Sequence, residues 1–451
     1  MPAPSGAPSS VRLAAAQIIG TTIEWYDFFI YGTASALVFN KVFFPDLSPL
    51  IGTLLALATF GAGFLARPVG AILFGHFGDR AGRKKMLVTT LLLMGLSTVA
   101  IGLLPSYAQI GAAAPLLLLA LRIVQGMAVG GEWGGAALIG IEHASPRRKT
   151  LFGSFAQLGS PLGLVLATCA FLLVTLGSDA WLETWGWRIP FVASALLIPV
   201  GLIIRKKIHE SPDFEAARKQ DKQDKGDKRT SLPVAEVFRT DWKRILIGTG
   251  AFSGVFVTYY LLTTFTVVYA TETLGMSTSI TLPANLVAAL SEGAFVVGAL
   301  LAPRFSARRV ATVSAVGLLL WAYPAFALVS TENPALLYLG VGISMAFVGA
   351  GYGVLAADVA LLFRPEVRYT GASLCYGLAG TVGGITPSVS TYLFDVTDSV
   401  YSVAGLTAGI AALMVASCLA LPLRRDEDEP APPALADAVP APDPARDPAR
   451  A

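Results

Sequence analysis

A chain of 451 residues could hold about three soluble domains, yet 54% of it is hydrophobic and only 14% is charged. Water-soluble folds carry about a quarter of their residues as charge, and a mean hydropathy of +0.63 identifies an integral membrane protein. The net charge of +3 comes with no basic stripe interleaved with aromatics outside the loops, so nucleic acid is excluded as a partner.

A helix crosses a bilayer with about 20 mostly apolar residues, and twelve such runs can be marked along the chain. They span 13–39, 50–76, 86–106, 113–141, 151–177, 188–205, 243–271, 281–302, 310–330, 335–362, 369–394 and 402–423. The polar residues 1–12 form an N-terminal tail. The run after them is too long for a leader and lacks a small-residue cleavage site, so it is read as a retained first helix. A polar stretch, 206–242, separates a first six-run block (13–205) from a second (243–423). The Ala/Pro/Asp-rich tail 424–451 has too little apolar surface to fold and is expected to be disordered.

All but four of the 33 basic residues fall on one side of this layout; the exceptions are Lys41, Arg67, Arg122 and Arg188. Basic residues accumulate in the cytoplasm, which places both termini and the central loop there. Trp181, Trp185 and Trp187 cluster beside the other end of the sixth run and are expected as interfacial anchors. Cys169, Cys375 and Cys418 lie far apart in apolar stretches and are expected to be buried, inert thiols. His76, His143 and His209 share no ligand spacing with carboxylates, so neither a metal nor another cofactor is expected.

Away from their ends, the runs contain seven charged residues: Glu24, Asp27, Arg67, Arg122, Glu132, Glu292 and Asp358. Unpaired and facing lipid, they would cost roughly 20 kcal/mol together, so they are expected to mark a cavity. Glu24 and Asp27, three apart, share a helical face that Tyr31 continues. Two such carboxylates would titrate as a coupled pair and form a proton site, or else a structural ion pair with Arg122 or Arg67. Arg122 offers a fork of donors to an anionic substrate, with Gln125 and Glu132 on a neighbouring stripe. Arg67 is placed to snorkel toward water. The glycines around Gly61 and Gly63 sit inside a helix with no preceding strand, so they are no dinucleotide fingerprint. Those at 130, 131, 134 and 135 suit close helix packing.

Between the second and third runs stands Gly75-His-Phe-Gly78-Asp79-Arg80-Ala-Gly82-Arg83-Lys84-Lys85. This resembles the loop signature of the major facilitator superfamily. Asp79 beside a helix N-terminus is stabilised by the dipole, and the basic residues could bridge to Glu142. Gly75, Asp79, Arg80, Gly82, Arg83 and Glu142 are therefore expected to form a conformational latch. The corresponding second-half segment, Ala302 to Arg309, keeps basic residues but lacks the acid and glycine. IEWYDF from Ile23, LRIVQG from Leu121, GGEWGGAALI from Gly130, WGWRIPF from Trp185, ESPDF from Glu210 and RYTGASL from Arg368 are similar to the metabolite:proton symporter branch, which includes shikimate- and α-ketoglutarate-type permeases. Tyr376-Gly377 departs from the Tyr-Gln usual among the acid permeases.

The resemblance implies an all-α membrane protein with 12 transmembrane helices in two six-helix bundles, each a pair of inverted repeats around a midplane site. It implies a monomeric transporter of the bacterial plasma membrane, not an enzyme, that imports a small organic acid with protons. The alternatives are a proline/betaine-type osmolyte:proton symporter and an exporter of the same fold. Glu24, Asp27 and Arg122 are expected to couple protons. Tyr26, Arg122, Gln125, Glu132, Gln157, Tyr259, Glu292 and Tyr376 are expected to line the cavity, and the partners are a small anionic substrate, protons and the lipid bilayer.

Overall fold

The apolar runs fold as helices because a bilayer offers no hydrogen-bond partner to the backbone, so each segment must satisfy its own peptide groups. The computed structural model describes residues 10–81, 83–130, 156–207, 239–364 and 368–421. Among them are twelve long helical segments: α1 (Ser10–Leu37), α2 (Pro49–Ala81), α3 (Arg83–Gly102), α4 (Ala113–Gly130), α5 (Gly159–Val174) and α6 (Asp179–Ile203) in the first half. The second half contains α7 (Trp242–Thr273), α8 (Thr278–Phe305), α9 (Ala307–Val329), α10 (Pro334–Ala360), α11 (Arg368–Thr397) and α12 (Val400–Ala420). Eight of these are long and apolar enough to cross a membrane on length and composition alone. The others are α1, which contains Glu24 and Asp27, the short apolar α3 and α5, and α11, rich in glycine, serine and threonine.

Within the first bundle α2 packs on α4 and α1 on α5; within the second, α9 packs on α10 and α12, and α7 on α11. The bundles meet through α2 with α11, α5 with α8, and α1 with α7. Both bundles contain helices at backbone contact. A Cβ on Gly126 or Gly130 of α4 would overlap the carbonyls of Gly63 or Arg67 in α2. In the second bundle a Cβ on Gly349 of α10 would overlap the Glu292 carbonyl of α8, and one on Gly298 of α8 would overlap that of Ala350. Small residues let helix backbones approach where lipid supplies no hydrophobic drive to association.

Three boundaries differ from the sequence reading for local reasons. Helix α2 continues to Ala81 and α3 starts at Arg83, so most of the expected 75–85 loop is helical backbone. Helix α6 starts at Asp179, nine residues before the apolar run, because a π-turn at Leu182–Gly186 carries the chain into it. Helix α8 is interrupted: its first part ends at Glu292 and its second begins at Phe295. In α7, a π-turn at Leu261–Phe265 directly follows Tyr259 and Tyr260. Such wide turns rotate the following side chains and recur at functional sites.

Two side-chain expectations are corrected. Trp185 is 62% exposed, as an anchor would be, whereas Trp187 is fully buried among Phe39, Phe43 and Phe191. That indole is core. Cys375 and Cys418 are buried, but Cys169 is exposed on the side of α5. An apolar run does not distinguish a bundle-facing thiol from one on the outer surface.

Candidate functional site

Midway along α1, Asp27 is 1% exposed and both of its oxygens accept hydrogen bonds. Thr98 of α3 donates to Oδ2 at 2.9 Å and Ser194 of α6 donates to Oδ1 at 2.8 Å. The Thr98 hydroxyl also lies 2.9 Å from the Met94 carbonyl one turn back, so one proton has two acceptors. Gln125 of α4 donates its amide to Thr98 at 2.8 Å and accepts from Arg122 Nη1 at 2.6 Å. A continuous relay therefore runs from Arg122 through Gln125 and Thr98 to Asp27. Between Arg122 and Asp27, a neutral bridge stands where the sequence allowed a direct ion pair: Arg122 bonds to an amide, and Asp27 to two hydroxyls.

Arg122 is 0% exposed. Its guanidinium lies 4.2 Å from the centre of the Tyr31 ring, 4.5 Å from Phe28 and 5.1 Å from Phe60, while Nε and Nη2 have no hydrogen-bond partner. Desolvated cation–π contacts are worth about 2 kcal/mol or more, which offsets part of the cost of burying the charge. Gly63 makes room for it, since a Cβ there would meet Arg122 Nε. Arg67, also buried, sits 4.2 Å from Phe28 and 4.3 Å from Phe64, and its Nε likewise has no partner. It does not snorkel, because it is held between rings. Two arginines thus flank the same phenylalanines.

Across the bundle interface, Glu292 is 1% exposed at the interruption of α8. Its Oε2 accepts from Ser160 of α5 at 3.3 Å, and Oε1 has no partner. Ser160 also lies 3.2 Å from the Tyr259 hydroxyl. The Tyr259 ring stacks on Phe29 at 5.6 Å and lies 6.2 Å from Trp25, joining α7 to α1. Tyr260 packs against Phe60 and Phe64 of α2 at 5.6 and 5.0 Å, with its hydroxyl unpartnered. Thr381 of α11 donates to the Phe64 carbonyl at 3.0 Å. A small cavity of about 20 Å³ lies beside Arg67, Val129, Leu374 and Tyr376. That is room for a water and no more.

Of the other residues expected here, Glu24 and Gln157 are buried. Tyr26 turns away, donating to the Pro190 carbonyl of α6 at 2.9 Å. Tyr376 pairs its hydroxyl with that of Tyr352 at 3.0 Å, its ring 4.8 Å from Phe256. Glu132, Gly82 and Glu142 lie outside the described residues, as do the side chains of Asp79, Arg80 and Arg83. In the second half, Arg308 donates to the Leu419 carbonyl and so caps the end of α12. Sequence reasoning missed Thr98, Ser160 and Ser194. Hydroxyls within apolar runs were the available signal.

These features match a known class. Residues 18–362 match the Major Facilitator Superfamily, and the chain belongs to that family. It is 39% identical to the inner membrane metabolite transport protein YhjE of Escherichia coli (strain K12), covering 92% of this chain and 94% of that protein. It is 37% identical to the shikimate transporter of the same organism, covering 90% and 92%. It is 33% identical to the proline/betaine transporter of Salmonella typhimurium (strain LT2), covering 89% and 83%. Among solved structures, the xylose transporter XylE from E. coli superposes with a TM-score of 0.69 at 20% identity, over 91% of this chain and 96% of that one. The fold is thus the twelve-helix, two-bundle arrangement of a multi-pass membrane protein.

Proposed function

We propose that the protein is a proton-coupled secondary transporter that imports a small organic acid across the bacterial inner membrane by alternating access, with both termini cytoplasmic. One observation carries this reading: the unbroken relay from Arg122, whose remaining donors are unfilled, to Asp27. Substrate carboxylate would take the open guanidinium donors, and the proton would ride on the Asp27 and Glu24 pair. The Thr98 hydroxyl links the two events. With Asp27 ionised it donates to the carboxylate; with Asp27 protonated it turns to the Met94 carbonyl, and the bridge to Gln125 and Arg122 loses its charged end. Occupancy at one end is thereby communicated to the other. The similarity to named metabolite and shikimate transporters supports the substrate class.

Symport of one monoanion with one proton moves no net charge, so the pH gradient alone drives it. Each pH unit is worth about 1.4 kcal/mol, or tenfold accumulation. Reconstituted protein should therefore concentrate at least one acid of a panel about tenfold per pH unit, acid outside. The panel comprises shikimate, α-ketoglutarate, citrate, proline and glycine betaine; if no member accumulates, the proposal is wrong. Asp27→Asn should abolish uphill accumulation and retain counterflow exchange, measured in the same vesicles.

A further inference from the structure

Among the described residues, the buried charged groups with unfilled hydrogen-bond positions divide by bundle. Arg67 Nε and Arg122 Nε and Nη2, all donors, belong to the first. Glu292 Oε1, an acceptor, belongs to the second. Tyr260, its own hydroxyl unfilled, packs on Phe60 and Phe64, the rings beside Arg122 and Arg67, and on Tyr259, whose hydroxyl lies 3.2 Å from Ser160, the partner of Glu292. Unsatisfied buried polar groups in a native protein call for a specific explanation. A bound molecule with acceptors at one end and donors at the other would supply every missing partner.

We infer that Glu292 sets the substrate selectivity of this site, admitting a monocarboxylate that bears a hydroxyl or ammonium donor away from its carboxylate and rejecting a dicarboxylate. The inference rests on the transport reading above and narrows its substrate class. The groups that contacts place around Glu292 are Ser160 of α5, its hydrogen-bond donor, and Tyr259 of α7, whose hydroxyl lies 3.2 Å from that of Ser160. Neither is a cation that would neutralise the carboxyl group. A ligand hydroxyl or ammonium reaching Oε1 completes its hydrogen bonding, and the rings of Tyr259, Phe29 and Trp25 provide an apolar wall that also favours a cationic group. A second carboxylate would instead meet acceptor against acceptor in a water-excluded space, a mismatch that discriminates strongly between ligands. A role confined to joining α8 to Ser160 would alter turnover or stability and leave the ranking of substrates unchanged.

The test is counterflow exchange by the full chain in proteoliposomes, without a pH gradient, in three arms: shikimate as hydroxylated acid, proline as zwitterion and α-ketoglutarate as dicarboxylate. Wild-type half-saturation should be at least tenfold lower for shikimate or proline than for α-ketoglutarate; which of the two is preferred identifies the donor. In Glu292→Gln, whose amide can donate to a carboxylate, the ratio should fall about tenfold, whereas Glu292→Asp should preserve the order. A wild type that prefers α-ketoglutarate overturns the inference without need of a variant, and so does an unchanged ratio in Glu292→Gln. In both cases the transport reading stands, because exchange occurs. Absence of exchange in every arm overturns that reading, and this inference with it.

Discussion

Asp27 and Glu292 are both carboxyl groups about 1% exposed, one in each bundle, yet their surroundings are opposite. Asp27 accepts from two hydroxyls and is tied through Thr98 and Gln125 to a buried arginine. Glu292 has one longer bond, to the opposite bundle, and an empty acceptor site. Burial alone therefore does not assign a role. The filled shell of Asp27 suits a group that must hold or exchange a proton without moving, and the open shell of Glu292 suits a group that awaits a partner.

Substitutions on either side of that contrast should separate the two. The largest effect is expected at the cationic end: Arg122→Lys replaces a fork of donors with a point charge and should raise the half-saturation for the transported acid at least tenfold, read from counterflow kinetics. Next, Gln125→Leu leaves Arg122 Nη1 without its acceptor and cuts the relay at Thr98, which keeps its bonds to Asp27 and the Met94 carbonyl. Leaving buried polar groups unsatisfied costs about 1–3 kcal/mol each, so the purified protein should unfold at a clearly lower temperature and lose pH-driven uptake. The smallest effect belongs to the second bundle, where Tyr352→Phe removes the bond to Tyr376 and should cost about 0.5–1.5 kcal/mol with coupling intact. If Tyr352→Phe uncoupled transport while Gln125→Leu did not, the division between the bundles would be wrong.

The fold was legible because hydropathy reports the solvent directly: twelve runs of bilayer length became twelve helical segments, with disagreement at their ends. Arg122 and Asp27 stood out for the same reason, as charges among apolar neighbours. Their connection did not. Thr98 and Ser194 are ordinary hydroxyls in apolar helices, and the same composition serves i to i−4 backbone bonding, as at Thr407. The partner of Glu292 was hidden by distance along the chain, since Ser160 lies 132 positions away on the other bundle. Trp187 was misplaced because a π-turn, invisible to apolar periodicity, carries it inward from a segment that reads as interfacial.

The rings around Arg122 have a consequence for leakage. Phe28, Phe60 and Phe64 carry no exchangeable hydrogen, and with Trp25, Phe29 and the faces of Tyr259 and Tyr260 they seal the seam between α1, α2 and α7. A proton moves along hydrogen bonds, and hydrocarbon edges offer none. The seam is therefore an electrical insulator as well as a steric plug. In the transport cycle proposed above, such a seam would keep the Asp27 relay from opening to both aqueous phases at once.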